Sequence, residues 1–181
     1  MQPPKTLKHI HAELKEKFKD RTLVLGSGDL DARVVFVTDA PGPHEEKEGT
    51  PIAGPAKKLF NKLLKNAGLT PRKIYVTTAM KHSLGSHLEA HPKELRLHAT
   101  FLKEELKTIA PRIVVTMGTL ALNGVGLRQP LDNVRGKALN MGSYSVFPTT
   151  HPNAALTDPV SRAQLEADFT KLKEIIAAHP F

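Results

Sequence analysis

The chain has 181 residues, 40% of them hydrophobic, with 26 Lys and Arg against 18 Asp and Glu and no cysteine. The missing cysteine excludes disulfides, thiolate nucleophiles and cysteine-ligated metal clusters, and no run of about 18 apolar residues marks a membrane span or secretory signal, so a single cytoplasmic domain over residues 1–181 is expected. A formal net charge of +8 favours a polyanionic partner, while an aromatic content of 5% without Trp argues against a single-strand binder built on rows of stacking rings.

The first of four short β-branched runs is Val34-Val35-Phe36-Val37, and Thr38-Asp39-Ala40-Pro41-Gly42 follows it directly. From Pro55 to Ala67, Leu59, Phe60, Leu63, Leu64 and Ala67 form one helical stripe, with Lys57, Lys58, Lys62 and Lys65 largely outside it and Gly68 as a stop. The second run, Ile74-Tyr75-Val76-Thr77, leads into Thr78-Ala79-Met80-Lys81-His82, and residues 85–91 read as a mobile loop. A helix from Pro92 to Ala110 carries Leu95, Leu102, Leu106 and Ile109 and ends before Pro111. The third run, Ile113-Val114-Val115-Thr116, precedes a short helix with Thr119 as its cap. Tyr144-Ser145-Val146-Phe147 is the fourth, followed by Thr150-His151-Pro152-Asn153-Ala154-Ala155-Leu156 and a last helix from about Ser161 to Ala178.

The first three runs are continuously apolar rather than alternating, as parallel strands covered on both faces require. Strands alternating with helices imply βαβ units with right-handed crossovers, and hence an α/β fold of three layers, α/β/α, around a four-stranded parallel sheet. Sites in such folds sit at the carboxyl ends of the strands, where Asp39 and His151 both fall. An acid after one strand and a histidine after another suit the breaking of a glycosidic bond, the acid handling water and the imidazole an anionic leaving group. Taken singly, each residue has a plainer reading: Asp39 as a turn or helix cap, His151 as a strand-end residue closing a turn with Pro152.

These segments together resemble the uracil-DNA glycosylase superfamily, and most of all its family 4 branch. The branch's Gly-Glu-Ala-Pro-Gly motif, acidic pair and Gly-x-Pro-Phe-Val-Gly stretch correspond to Thr38-Asp39-Ala40-Pro41-Gly42, Glu45-Glu46 and Gly49-Thr50-Pro51-Ile52-Ala53-Gly54. Its Val-Tyr-Ile-Thr-Asn-x-x-Lys-Cys corresponds to residues 74–82, and Val134-Arg135-Gly136-Lys137 and His151-Pro152 follow in order, so that the similarity runs from about Arg21 to Leu156.

The resemblance implies a DNA glycosylase of base excision repair, acting as a monomer on DNA that carries a damaged or deaminated base, most directly uracil, with no membrane partner. It implies Asp39 and His151 as catalytic residues, a base pocket of Ala40, Ile52, Thr78 and Asn153, phosphate contacts from Lys81, Arg135 and Lys137, and Leu156 as the wedge that fills the vacated stack. The departures concentrate at the pocket: Ile52 replaces a stacking Phe, Thr78 replaces an edge-reading Asn, and Asp39 replaces a Glu. A non-catalytic DNA-binding relative, or a glycosylase for hypoxanthine or xanthine, fits the same substitutions.

Family 4 members hold a four-iron four-sulfur cluster on four cysteines; this chain has none, so no cofactor or metal is expected. His82 and His98 stand where two of those cysteines would be, and His9 and His11 lie near the other pair, but no tight ligand spacing supports zinc instead. Without the cluster, packing or polar contacts must tether the amino-terminal helix to the Lys81–His98 region. A related branch attacks the sugar with a loop histidine; His87 falls near that place, but Ser83-Leu84-Gly85-Ser86 lacks that loop's arginines.

Overall fold

The computed structural model describes residue 3, residues 5–85 and residues 91–178; Ser86, His87 and most of the loop expected after Gly85 lie outside it. Four parallel strands form the centre: β2 (Val34–Thr38), β3 (Ile74–Thr78), β4 (Ile113–Met117) and β6 (Ser145–Thr149). Two-residue strands β1 (Ser27–Gly28) and β5 (Leu139–Asn140) add antiparallel edges, giving the order β1-β3-β2-β4-β6-β5. The sheet therefore has six strands rather than the expected four. The edges are too short and too polar to leave an apolar run in the sequence.

Side chains of a strand alternate between faces, and the core divides accordingly. Val34 and Phe36 of β2 point to one side, where α3 (Gly54–Asn66), α7 (Pro152–Thr157) and α8 (Pro159–Ala178) cover them with Phe60, Ala155, Leu165 and Phe169. Val35 and Val37 point to the other, against α1 (Leu7–Lys17), α4 (Pro92–Ile109) and α5 (Thr119–Gly124). Both faces are covered, which is why the central strands read as unbroken apolar runs. Short helices α2 (Pro43–Glu48) and α6 (Leu131–Val134) lie in connections that carry no amphipathic stripe to announce them. The cap of α5 is Gly118, and Thr119, expected as the cap, is its first helical residue. No described helix is long and apolar enough to cross a membrane.

Packing and polar contacts tie α1 to α4. The Phe18 ring stacks on His98 at 4.5 Å and meets His82 and Phe101 edge-on, and the two imidazoles lie 4.9 Å apart. His98 Nδ1 accepts the Lys81 N–H, and Thr108 donates its hydroxyl to the Lys5 carbonyl. Burial, with His82 and Lys81 nearby, lowers the His98 pKa to about 3, so the ring packs as a neutral aromatic.

Lys81, expected at a phosphate, is wholly buried and is corrected to a structural residue. Its ammonium pairs with Glu105 and donates to Thr77 Oγ1 and the Thr78 carbonyl. Glu105 Oε2 also accepts the hydroxyls of Tyr75, at 3.2 Å, and Thr77, at 2.9 Å. Burial pulls the Lys81 ammonium below its ordinary pKa, and the Glu105 carboxylate opposes that pull. Removing one member of such a pair strands the other in a low-dielectric interior. Lys81→Met should therefore lose about 3 to 5 kcal/mol of stability in urea denaturation, whereas Lys81→Met with Glu105→Leu should regain most of it. Equal losses in the single and double variants would show that the charges are not coupled.

Candidate active site

The carboxyl ends of β2, β4 and β6 lie side by side, and the loops leaving them bring together Asp39, Gly118 and His151. Asp39 follows β2 and reaches across to α5, where its Oδ1 accepts the Ala121 N–H at 2.8 Å. Two features of the sequence permit this. Gly118 holds φ at 108°, a conformation that side chains disfavour, and a Cβ there would overlap the Asp39 carboxylate. The first N–H groups of a helix also lack internal partners, so a carboxylate from outside satisfies them. Burial nevertheless dominates: it raises the Asp39 pKa to about 6, against the lowering effect of the Ala121 and Leu120 N–H groups.

His151 follows β6 and caps α7 with its own ring, Nδ1 accepting the Asn153 N–H at 3.0 Å. That bond places the imidazole proton on Nε2. Burial lowers the His151 pKa to about 4, so near neutral pH the ring is an uncharged donor.

Thr149, two residues earlier, joins the halves of the site. Its carbonyl accepts the Gly118 N–H, and its hydroxyl donates to Asp168 Oδ2 at 2.7 Å. Asp168 is fully buried on α8, and its Oδ1 accepts from Arg135 at 2.7 Å. Gly136 adds its N–H to the Pro148 carbonyl, and a Cβ there would crowd the Asp168 carboxylate. Arg135 is thus corrected from a phosphate contact to the partner of Asp168. The Arg135-Gly136 turn locks the strand that delivers His151.

Between the acid and the histidine opens a cavity of about 990 Å³, lined by Asp39, Ala40, His151 and Asn153 among others. Ile52 and Thr78 are not in its wall. Ile52 is 5% exposed and packs in the core with Phe36 and Phe60, and Thr78 is fully covered, its hydroxyl without a partner. The expectation that these two side chains line the cavity is therefore corrected. Glu45 is buried and binds the N–H groups of Gly42 and Ala53, closing the loop after Asp39. Lys137 is exposed, its Nζ donating to the Asn133 carbonyl, and Leu156 is 41% exposed on α7.

The sequence reading missed Thr119, Asn123, Arg128 and Gln129, all in the cavity wall. The first two were within reach, because positions four apart on a helix share a face and Thr119 opens the helix. Arg128 and Gln129 sit in an aperiodic connection with no pattern to single them out.

Four-thiolate ligation does not fit the region that the resemblance assigns to an iron-sulfur cluster. The space there is filled by the Phe18, His82 and His98 rings, and His9 turns its ring to the Thr6 hydroxyl that caps α1. Among the described residues no group of three or more His, Asp or Glu side chains could hold a metal ion.

A comparison with protein families matches residues 25–175 to the model described as the uracil DNA glycosylase superfamily. A type-4 uracil-DNA glycosylase of Saccharolobus solfataricus is 31% identical over 174 residues, 91% of this chain and 80% of that protein. Its counterpart in Sulfurisphaera tokodaii is 32% identical, covering 84% of this chain and 74% of its own length. The Thermotoga maritima protein of the same name is also 32% identical, with 85% and 83% covered. With the parallel sheet, the paired strand ends and a match spanning most of the chain, this protein belongs to the uracil DNA glycosylase superfamily.

Proposed function

We propose that the protein is a DNA glycosylase that hydrolyses the N-glycosidic bond of a deaminated base, most directly uracil, and leaves an abasic site. One observation carries this reading: a buried carboxylate and a neutral imidazole with a free Nε2–H face one cavity from neighbouring strand ends. The names of the relatives point to the same reaction.

The base leaves the stack at a cost of a few kcal/mol, least for a mispaired base, and enters the cavity. As the glycosidic bond breaks, the sugar becomes oxocarbenium-like and negative charge gathers on the base oxygen. His151 donates Nε2–H to that oxygen; its low pKa keeps it a hydrogen-bond donor rather than a proton source, and the base departs as an anion. One preplaced donor of this kind is worth about 3 to 4 kcal/mol. The Asp39 carboxylate stabilises the cationic sugar, orients water on its open face and takes the proton as the new carbon–oxygen bond forms. Exposed Leu156, on the helix that His151 caps, fills the gap in the duplex, and Lys137 and Arg128 meet phosphates. The setting for this chemistry is the cytoplasm, with the protein acting as a monomer.

Base excision on oligonucleotides carrying uracil, hypoxanthine or xanthine tests the reading. Uracil release should fall about 100- to 1,000-fold in His151→Ala and at least as far in Asp39→Asn. Release of only a purine lesion would move the substrate, and salt-sensitive binding without release of any base would leave a DNA-binding relative.

The pH dependence follows from the two perturbed groups. For uracil, kcat/KM should rise through an apparent pKa of about 6 as Asp39 ionises, with His151 already neutral because its own pKa is about 4. A profile flat from about pH 5 to about pH 8 would remove Asp39 from the step.

Stability carries the opposite sign. Because folding raises the Asp39 pKa from 3.8 to about 6, its contribution to stability is complete below the unfolded value and is lost as pH rises through the folded one. Above about pH 7 the ionised carboxylate costs up to about 3 kcal/mol, so Asp39→Asn should raise the melting temperature there, and little at about pH 4. An equal change at both pH values would contradict the buried-charge account.

A further inference from the structure

We infer that Asn123 is the residue that reads the edge of the extruded base, an assignment that rests on the glycosylase reading above. A base with adjacent ring N–H and carbonyl groups, as uracil has, is matched by one carboxamide that accepts with Oδ1 and donates with Nδ2. The side chains expected in the pocket cannot supply this match. Thr78 offers a single hydroxyl and is fully covered, and Ile52 is apolar and packed in the core.

Three carboxamides do line the cavity, those of Asn123, Asn153 and Gln129. Gln129 and Asn153 are exposed residues, and Asn153, two positions after His151, has its backbone N–H bonded to the imidazole while its carboxamide is left to solvent. Asn123 alone of the three is half-buried. Among the described residues its side chain makes no hydrogen bond, so its donor and acceptor are available to a molecule in the cavity.

Its mounting suits a specificity element. Asn123 lies one turn beyond Thr119 on α5, the helix whose N–H groups hold Asp39. Ala121 and Leu122 between them are fully buried and fix the helix in the core. The amide that reads the base and the carboxylate that serves the sugar are therefore held by one short helix.

The test compares wild type, Asn123→Ala, Asn123→Asp, Asn153→Ala and Thr78→Ala for uracil release from a single-stranded oligonucleotide. Binding to an oligonucleotide with a tetrahydrofuran abasic analogue, which presents no base edge, and thermal melting are measured alongside. Asn123→Ala should lower kcat/KM for uracil about 100-fold, with abasic-site binding and melting temperature unchanged. Asn123→Asp keeps the shape but loses the donor, so it should fall comparably and covers the case in which the alanine variant folds poorly. Active wild type with both Asn123 variants within about 3-fold of it would overturn the assignment, the more so if Thr78→Ala or Asn153→Ala took the loss instead. Wild type that releases no base from any lesion would overturn the glycosylase reading, and this assignment with it.

Discussion

A buried ion pair, Lys81 with Glu105, is the constraint on which the arrangement of this molecule turns. Neither group could be buried alone, since an unpaired charge in such surroundings costs several kcal/mol. Together they are tolerated because each is also hydrogen-bonded, to Thr77 and the Thr78 carbonyl on one side and to Tyr75 and Thr77 on the other. The bonds run from β3 to α4, and the Lys81 main chain extends them, its N–H to His98 and its carbonyl to the Val24 N–H. One charge pair thus fixes the end of a central strand, the helix behind it and the segment that follows α1. The stack of Phe18 on His98 closes the same corner and ties the end of α1 to α4.

The candidate site takes Asp39 and His151 out of water and uses the backbone to set the charge of one and the tautomer of the other. Desolvation disfavours charge on either group, moving the carboxyl up and the imidazole down. For Asp39 the N–H groups at the start of α5 limit the rise, so the group is still ionised at neutral pH. For His151 the Asn153 N–H occupies Nδ1 and fixes the tautomer. The same burial makes the ionised Asp39 carboxylate a burden on the folded state, a conflict expected if it serves the proposed chemistry.

What the sequence revealed follows the physics of burial. The central strands were legible because residues covered on both faces form unbroken β-branched runs, and the position of Asp39 and His151 beside one cavity was legible because they follow two of them. The two-residue edge strands carry no such run. Lys81 and Arg135 were misread for a different reason: a basic residue is normally solvated, and only the packed structure reveals the distant acids, Glu105 and Asp168, that bury it. Ile52 and Thr78 show the limit of matching positions to a family motif. Correspondence in order places a residue on the right element, but exposure to the cavity depends on how the next helix packs over it.

The proposed recognition group sits instead on α5, which packs on the opposite face of the sheet from Ile52. Gly118 lets the carboxylate approach so closely that α5 and Asp39 behave as one body, while Thr149 ties the same glycine to the strand that delivers His151. A recognition group on β3 would reach the reacting atoms only through a separate strand end and its loop. A group on α5, such as Asn123, is two residues, about half a helical turn, from the bond that holds the acid. On the proposed roles, the distance between base edge and sugar would then be set by α5 and the bond it makes to Asp39. Such a short link between two elements is the condition under which an acid such as Asp39, with less reach than a glutamate, would be presented accurately to the reacting carbon of the proposed reaction.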